Sequence, residues 1–197
     1  PGDQGIDEEW FNKGFKNKVN LPGSIQEQGF GHDISLDTSW IVSKNYFKKK
    51  RFTNSMYEKY RKPGEITIME WLQPEKHYVG PAWFQRTVTI PEKWENKRLI
   101  LHLERCHWET VLWIDGKRVG KRRQLASSQE YDLTGRLESG RHILTLRIDN
   151  SMIIDVGVNA HSVTDHTQSA WNGIVGRNEL QVLPEIWIDD LQVYPDV

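Results

Sequence analysis

Residues 164–176 read TDHTQSAWNGIVG and gather six side chains able to do chemistry: Asp165, His166, Thr167, Gln168, Trp171 and Asn172. A pyranose offers an apolar face that stacks on an indole, and hydroxyls that pair with planar acid and amide groups. Asp165, Gln168, Trp171 and Asn172 supply that set within eight residues. Polar loops of this density carry function more often than packing, which favours a binding role for Asp165 and His166. Trp171 serves equally well as an apolar plug at the end of a sandwich, with Asn172-Gly173 making the turn beside it.

Other chemistries ask for more than the chain advertises. Glycoside hydrolysis needs two carboxylates about 5 Å apart for retention, or roughly 6.5–9.5 Å apart for inversion. Asp165 has no evident acidic partner, because Glu179 falls in a predicted strand. His161, Asp165 and His166 form an H-x-x-x-D-H spacing, but zinc wants three or four converging ligands and a loop gives this spacing no common face. Hydrogen-bonded histidines are therefore expected, with no metal and no cofactor. A G-x-S-x-G elbow is absent, and Gly173-Ile174-Val175-Gly176 lacks the third glycine and the helix of a phosphate loop.

The elements that position these residues are predicted to be strands. Leu99, Leu101 and Leu103, then Val111 and Trp113, then Leu144, Leu146 and Ile148 alternate along their runs with period two. Asp115-Gly116, between TVLWI and KRVG, supplies the positive φ angles of a tight hairpin. Further strands are expected at 83–90, 128–132, 179–182 and 186–193. Helical signal is confined to IDEEWFNKGF (6–15), as one or two turns before Gly14. Residues 41–64 read as an insertion with a short helix near 54–60, ending at the turn signal Arg61-Lys62-Pro63-Gly64. Many short strands without βαβ alternation predict an all-β antiparallel sandwich in one domain.

The totals exclude several classes. A net charge of -1 over 197 residues gives no polyanion-binding balance, and the longest basic run, 48–51, is short. No nucleic-acid partner and no membrane insertion are expected, since no apolar run is long enough to span a bilayer. Cys106 is the single cysteine, so no intrachain disulfide forms. Nine Trp, six Tyr and six Phe suit both a β-rich core and sugar recognition. The start at Pro1 without an initiator Met points to a processed protein or a fragment.

Six blocks in order carry a resemblance. LPGS (21–24), GPAWFQRTVTIP (80–91), LHLERCHWETVLWIDGKRVG (101–120), YDLTGRL (131–137), LTLRIDN (144–150) and WNGIVGRNEL (171–180) together resemble the N-terminal sugar-binding domain of glycoside hydrolase family 2. This is the beta-galactosidase and beta-glucuronidase family, and HSVTDHTQSAWNGIVG (161–176) and WLQPEKHYVGPAWF (71–84) further resemble a bacterial branch of large, often exported members. The resemblance implies a jelly-roll, galactose-binding-like fold over 1–197, with 1–18 as an extension. It also implies a downstream immunoglobulin-like domain and a (β/α)8 barrel holding both catalytic glutamates. The chain would then be a noncatalytic module that helps wall a carbohydrate pocket, in a periplasmic or secreted bacterial protein. A free-standing carbohydrate-binding module is the alternative, and a hydrolase complete in these residues is a third reading. Family members place an Asp six residues before the Gly-Ile pair. Here that position is Thr167, with Asp165 two residues away as the substitute. The loop before PAWF adds His77 and Tyr78, with Val79, as further substrate-binding candidates.

Overall fold

The period-two runs form two antiparallel sheets that close on one core. The computed structural model describes residues 3–34, 38, 76–157, 160, 163, 171–184, 186, 188 and 190–195. The insertion at 41–64 with its short helix lies outside the described residues, as do Asp165, His166, Thr167 and Gln168. In chain order the elements are α1 (Gln4–Asp7), β1 (Gly23–Ser24), β2 (His32–Asp33), β3 (Lys76–His77), β4 (Pro81–Ile90) and β5 (Arg98–Cys106). They continue with β6 (Glu109–Ile114), β7 (Lys117–Arg123), β8 (Gln129–Asp132), β9 (Gly140–Asp149) and β10 (Gly173–Leu183).

One sheet runs β1-β10-β5-β8 and the other β4-β9-β6-β7, while β2 and β3 make a small ribbon. From β4 to β10 the chain passes back and forth between the two main sheets, the jelly-roll habit. Phe84, Leu112, Leu146 and Ile148 point inward from one sheet and Leu99, Leu103 and Ile174 from the other, with Tyr131 and Leu133 between them. Burial of such side chains contributes roughly 1.5–3 kcal/mol each.

The hairpin at Asp115-Gly116 forms as its residues require, with φ of 49° and 77°. The Asp115 carboxylate accepts the Ile143 N–H at 2.8 Å and meets His142 Nδ1 at 2.6 Å, tying the turn to β9. Burial opposes charge on His142, but Asp115 and the Glu138 carbonyl outweigh it and raise its pKa.

All six residues of β6 are buried, so the strand is covered on both faces. Simple alternation does not predict that. The cover is the N-terminal segment, where the expected helical turns appear as α1 and the 3-10 turn Trp10–Asn12. Phe11 stacks on Trp113 at 5.3 Å and 3°, and Trp83 lies 5.1 Å from Trp113 on the same outer face. Gly5 rests directly on the Trp83 indole, where an added Cβ would come within 2.2 Å of Nε1. Arg147 is paired beneath the segment with Asp3, with Asp149 at 2.7 Å and with Glu109 at 3.3 Å.

The strand expected at 186–193 needs correction. Its described residues are unpaired, and Ile186, Ile188, Leu191 and Val193 are 76–90% exposed. Alternation specifies a face, but a strand also needs a neighbour's N–H and C=O groups, and no described residue supplies them to those after Pro184. By contrast, the strand expected at 179–182 extends back to Gly173.

Candidate sugar-binding end

Strand polarity brings the candidate loops to one end of the sandwich. β4 begins opposite the end of β9 (Pro81↔Asp149), and β6 begins opposite the same residue (Glu109↔Asp149). β10 begins opposite the end of β5 (Ile174↔Cys106). Residues 77–80, 107–108, 150–157 and 171–172 therefore share that end.

Three buried amides bind these connections together. Asn172, fully buried, donates through Nδ2 to the carbonyls of Gly80 at 2.9 Å and Ile148 at 3.0 Å. Its main-chain N–H donates to Gln26 Oε1 at 3.1 Å, and its carbonyl accepts from Ile25 at 2.8 Å. Asn150 donates to the Tyr78 carbonyl at 2.9 Å and accepts the Gly80 N–H at 2.8 Å. Gln26 adds a longer contact to the same Tyr78 carbonyl at 3.4 Å. The result is a polar girdle in which three side chains satisfy main-chain groups that would otherwise be stranded away from water.

The sequence candidates separate within this frame. Asn172, expected to meet sugar, has no exposed surface and spends its amide N–H groups on the girdle. Tyr78 turns its hydroxyl to the Pro81 carbonyl, and burial, then the charges of Asp149 and Asp3, raise its pKa. His77 and Trp171 are half-buried at the end itself, and Val79 is exposed beside them. Met152, Ile154 and Val156 add an exposed apolar rim. Asp165, His166, Thr167 and Gln168 lie outside the described residues.

Sequence reasoning missed His107, Trp108, Gln26 and the role of Asn150. His107 sits 5.3 Å from Trp171 and stacks on Trp108 at 6.1 Å and 11°. Burial drives its pKa down to about 4, opposed only by the Trp171 main chain. The ring is therefore neutral at pH 7 and holds Trp171 by contact. The unfolded imidazole takes a proton near pH 6.5 and the folded one only near 4, so stability should drop as pH falls through that interval. An NMR titration of the His107 ring checks this, and a midpoint at or above 6.5 contradicts it. Cys106 beside it is a core residue, its thiol pushed up to about 12 by burial.

Among the described residues no three His, Cys, Asp or Glu side chains converge as metal donors. Those at this end offer ring contacts, as between His107 and Trp171, and hydrogen bonds.

The comparisons agree with that geometry. Residues 35–184 match the family model for glycosyl hydrolases family 2, sugar binding domain. The chain belongs to this family. The family 2 chain is 26% identical over 76 residues to a putative beta-glucuronidase of Formosa agariphila, covering 39% of this chain and 7% of that one. It is 24% identical over 83 residues to the beta-glucuronidase of Rattus norvegicus, covering 39% and 13%. Among solved structures, a beta-glucuronidase of an uncultured Clostridium species superimposes with a TM-score of 0.51 at 16% identity, over 87% of this chain and 24% of that one. A beta-glycosidase of Bacteroides vulgatus gives 0.50 at 22% identity, over 83% and 16%. These two structures share the sandwich fold. The family 2 chain thus spans from 7% to 24% of the length of these four relatives.

Proposed function

We propose that the chain is the noncatalytic sugar-binding and scaffold module of a retaining family 2 glycosidase. Its role is to wall a pocket whose acid/base and nucleophile reside in a downstream barrel, reached through an immunoglobulin-like domain. The observation that carries this reading is the amide girdle, a buried device that fixes the 77–80 and 171–172 connections on one end of the sandwich. His77 and Trp171 are offered there as sugar contacts, with Asp165, His166, Thr167 and Gln168, just before Trp171 in sequence, as further candidates. Asn172 and Tyr78 contribute by holding that end in shape. The exposed apolar rim and the unpaired apolar residues after Pro184 suit burial against further parts of a longer chain. The names of the relatives make a β-glucuronide the first substrate to test and a β-galactoside the second.

The test compares the 197-residue chain with the longer enzyme that carries it, using aryl β-glycosides. The module alone should give no turnover. In the enzyme, His77→Ala or Asp165→Asn should lower kcat/KM at least tenfold, with an unchanged thermal midpoint. Turnover by the module alone, lost in Asp165→Asn, would make it a hydrolase in its own right. Tight sugar binding by the module alone would mark a free-standing carbohydrate-binding module.

A further inference from the structure

We infer that His107 is a positioning residue for the sugar, standing behind Trp171 and fixing the plane on which a pyranose stacks; this rests on the proposal that Trp171 meets the sugar. His107 touches no substrate itself, being only 3% exposed beside a half-buried indole.

Trp171 is anchored from two distant parts of the chain. Its main chain is pinned by the next residue, since Asn172 donates its N–H to Gln26 and lends its carbonyl to Ile25. Those bonds fix the backbone but leave the side-chain torsions of the indole free. His107 supplies what remains. The two rings lie 5.3 Å apart between centroids and 32° apart in plane, within the range of aromatic pairs. His107 in turn stacks on Trp108, also 3% exposed, so a ladder of three rings leads from two buried ones to the half-buried indole.

The backing is rigid. Gln129, with no exposed surface, donates through Nε2 to the carbonyls of the residues on either side of His107, Trp108 at 2.7 Å and Cys106 at 3.4 Å. The Trp108 N–H donates to the Asp149 carbonyl at 2.9 Å, tying the same connection to β9.

The imidazole has no other employment on the page of contacts around it. Both ring nitrogens are buried without a hydrogen-bond partner among the described residues, whereas Asn172 and Asn150 spend their amides on nearby main chain. A buried polar ring left unpaired calls for a reason beyond holding the backbone. The polar influence felt by this ring is the Trp171 main chain, and its ring contact on that side is the Trp171 indole. Both converge on one residue. A half-exposed indole free to turn must be ordered when a sugar arrives, and holding it beforehand saves that cost in affinity. A histidine that merely filled space would affect stability and leave sugar affinity alone.

Two measurements test this. In the 197-residue chain carrying isotope-labelled tryptophan, His107→Ala should shift or broaden the Trp171 indole signal, identified by its loss in Trp171→Phe. The Trp83 and Trp113 signals should stay in place and report an intact fold. His107→Val, which leaves a smaller cavity, replaces the alanine variant if those control signals are lost. In the longer enzyme, assayed with aryl β-glycosides, Trp171→Ala and His107→Ala should each raise KM about tenfold with kcat within about twofold, the mark of lost binding. His107→Phe should recover part of the loss. The double variant should be no worse than Trp171→Ala, because a residue acting through the indole then has nothing to position. A Trp171 signal that ignores the His107 variant, a KM that rises for Trp171→Ala but not for His107→Ala, or effects that multiply in the double variant each overturns the inference and leaves the proposed function standing. An unchanged KM in both, with a raised one in His77→Ala, also overturns it and moves the sugar contact to His77. An unchanged KM in all three overturns the proposed wall as well.

Discussion

Replacing Gly173 by alanine should lower the thermal midpoint by roughly 6–12 °C, the largest effect expected of any single methyl group in this sandwich. Gly173 holds φ at +146°, a conformation that L side chains rarely adopt. A Cβ there would stand 2.3 Å from the Gly23 carbonyl oxygen and 2.9 Å from the Ser24 Cα. Both obstacles are main chain, held by the β1–β10 pairing of Ser24 with Gly173, so neither can swing aside. Positive φ and overpacking together cost about 3 kcal/mol or more. The glycine of the Gly-Ile pair is thus a contact between two strands. Thermal unfolding measures the loss, and hydrogen exchange should show the β1 amides opening first. A midpoint within about 2 °C of the parent, less than one kcal/mol at this size, would sink the account.

Asn172→Asp should add a pH dependence opposite in sign to the one His107 imposes. The amide donates to two carbonyl oxygens inside the fold, and a carboxylate in its place would face both with lone pairs only. Burial and those two dipoles raise the folded pKa of the new carboxyl above the unfolded value of about 3.9. A group with a raised folded pKa contributes most below its unfolded pKa and loses that contribution as pH rises through the folded one. The variant should therefore be closest to the parent near pH 4 and weaker at pH 7 by about 3 kcal/mol or more. Asn172→Leu removes the donors without adding charge, and should cost roughly 2–3 kcal/mol at both pH values. Denaturant midpoints across pH decide the matter. An Asp variant that tracks the parent at every pH would mean that the girdle does not hold the 78–80 connection.

Much of this architecture was legible because its causes are local. The Asp115-Gly116 hairpin follows from two residues that accept positive φ, and the Leu144–Ile148 alternation needs only a face to bury. The family blocks marked Asn150 and the Gly-Ile pair, although not what they do. Gln26 was invisible, because an amide far along the chain carries no periodic signal until the fold brings it to Asn172. Burial of both faces of β6 was hidden for the same reason: Val111 and Trp113 read as one side of a strand, and nothing near them announces that Phe11 arrives as cover. The unpaired residues after Pro184 show the converse. A strand-like pattern is a request for a partner, and sequence periodicity cannot say whether one answers.

The pairing of β4 with β9 and of β5 with β10 has a consequence for synthesis of the chain. Each partnership joins segments dozens of residues apart, so loop closure precedes any reward from contact. The β4-β9-β6-β7 sheet has all its strands once Asp149 is made, but the β1-β10-β5-β8 sheet cannot be completed until Leu183 has left the ribosome tunnel. Until then β1 and the Leu-rich β5 wait with bare edges, the state in which nascent chains aggregate or engage chaperones. Biogenesis of this module is therefore governed by its last strand, and a pause in translation just before Gly173 would prolong the vulnerable interval more than a pause anywhere earlier.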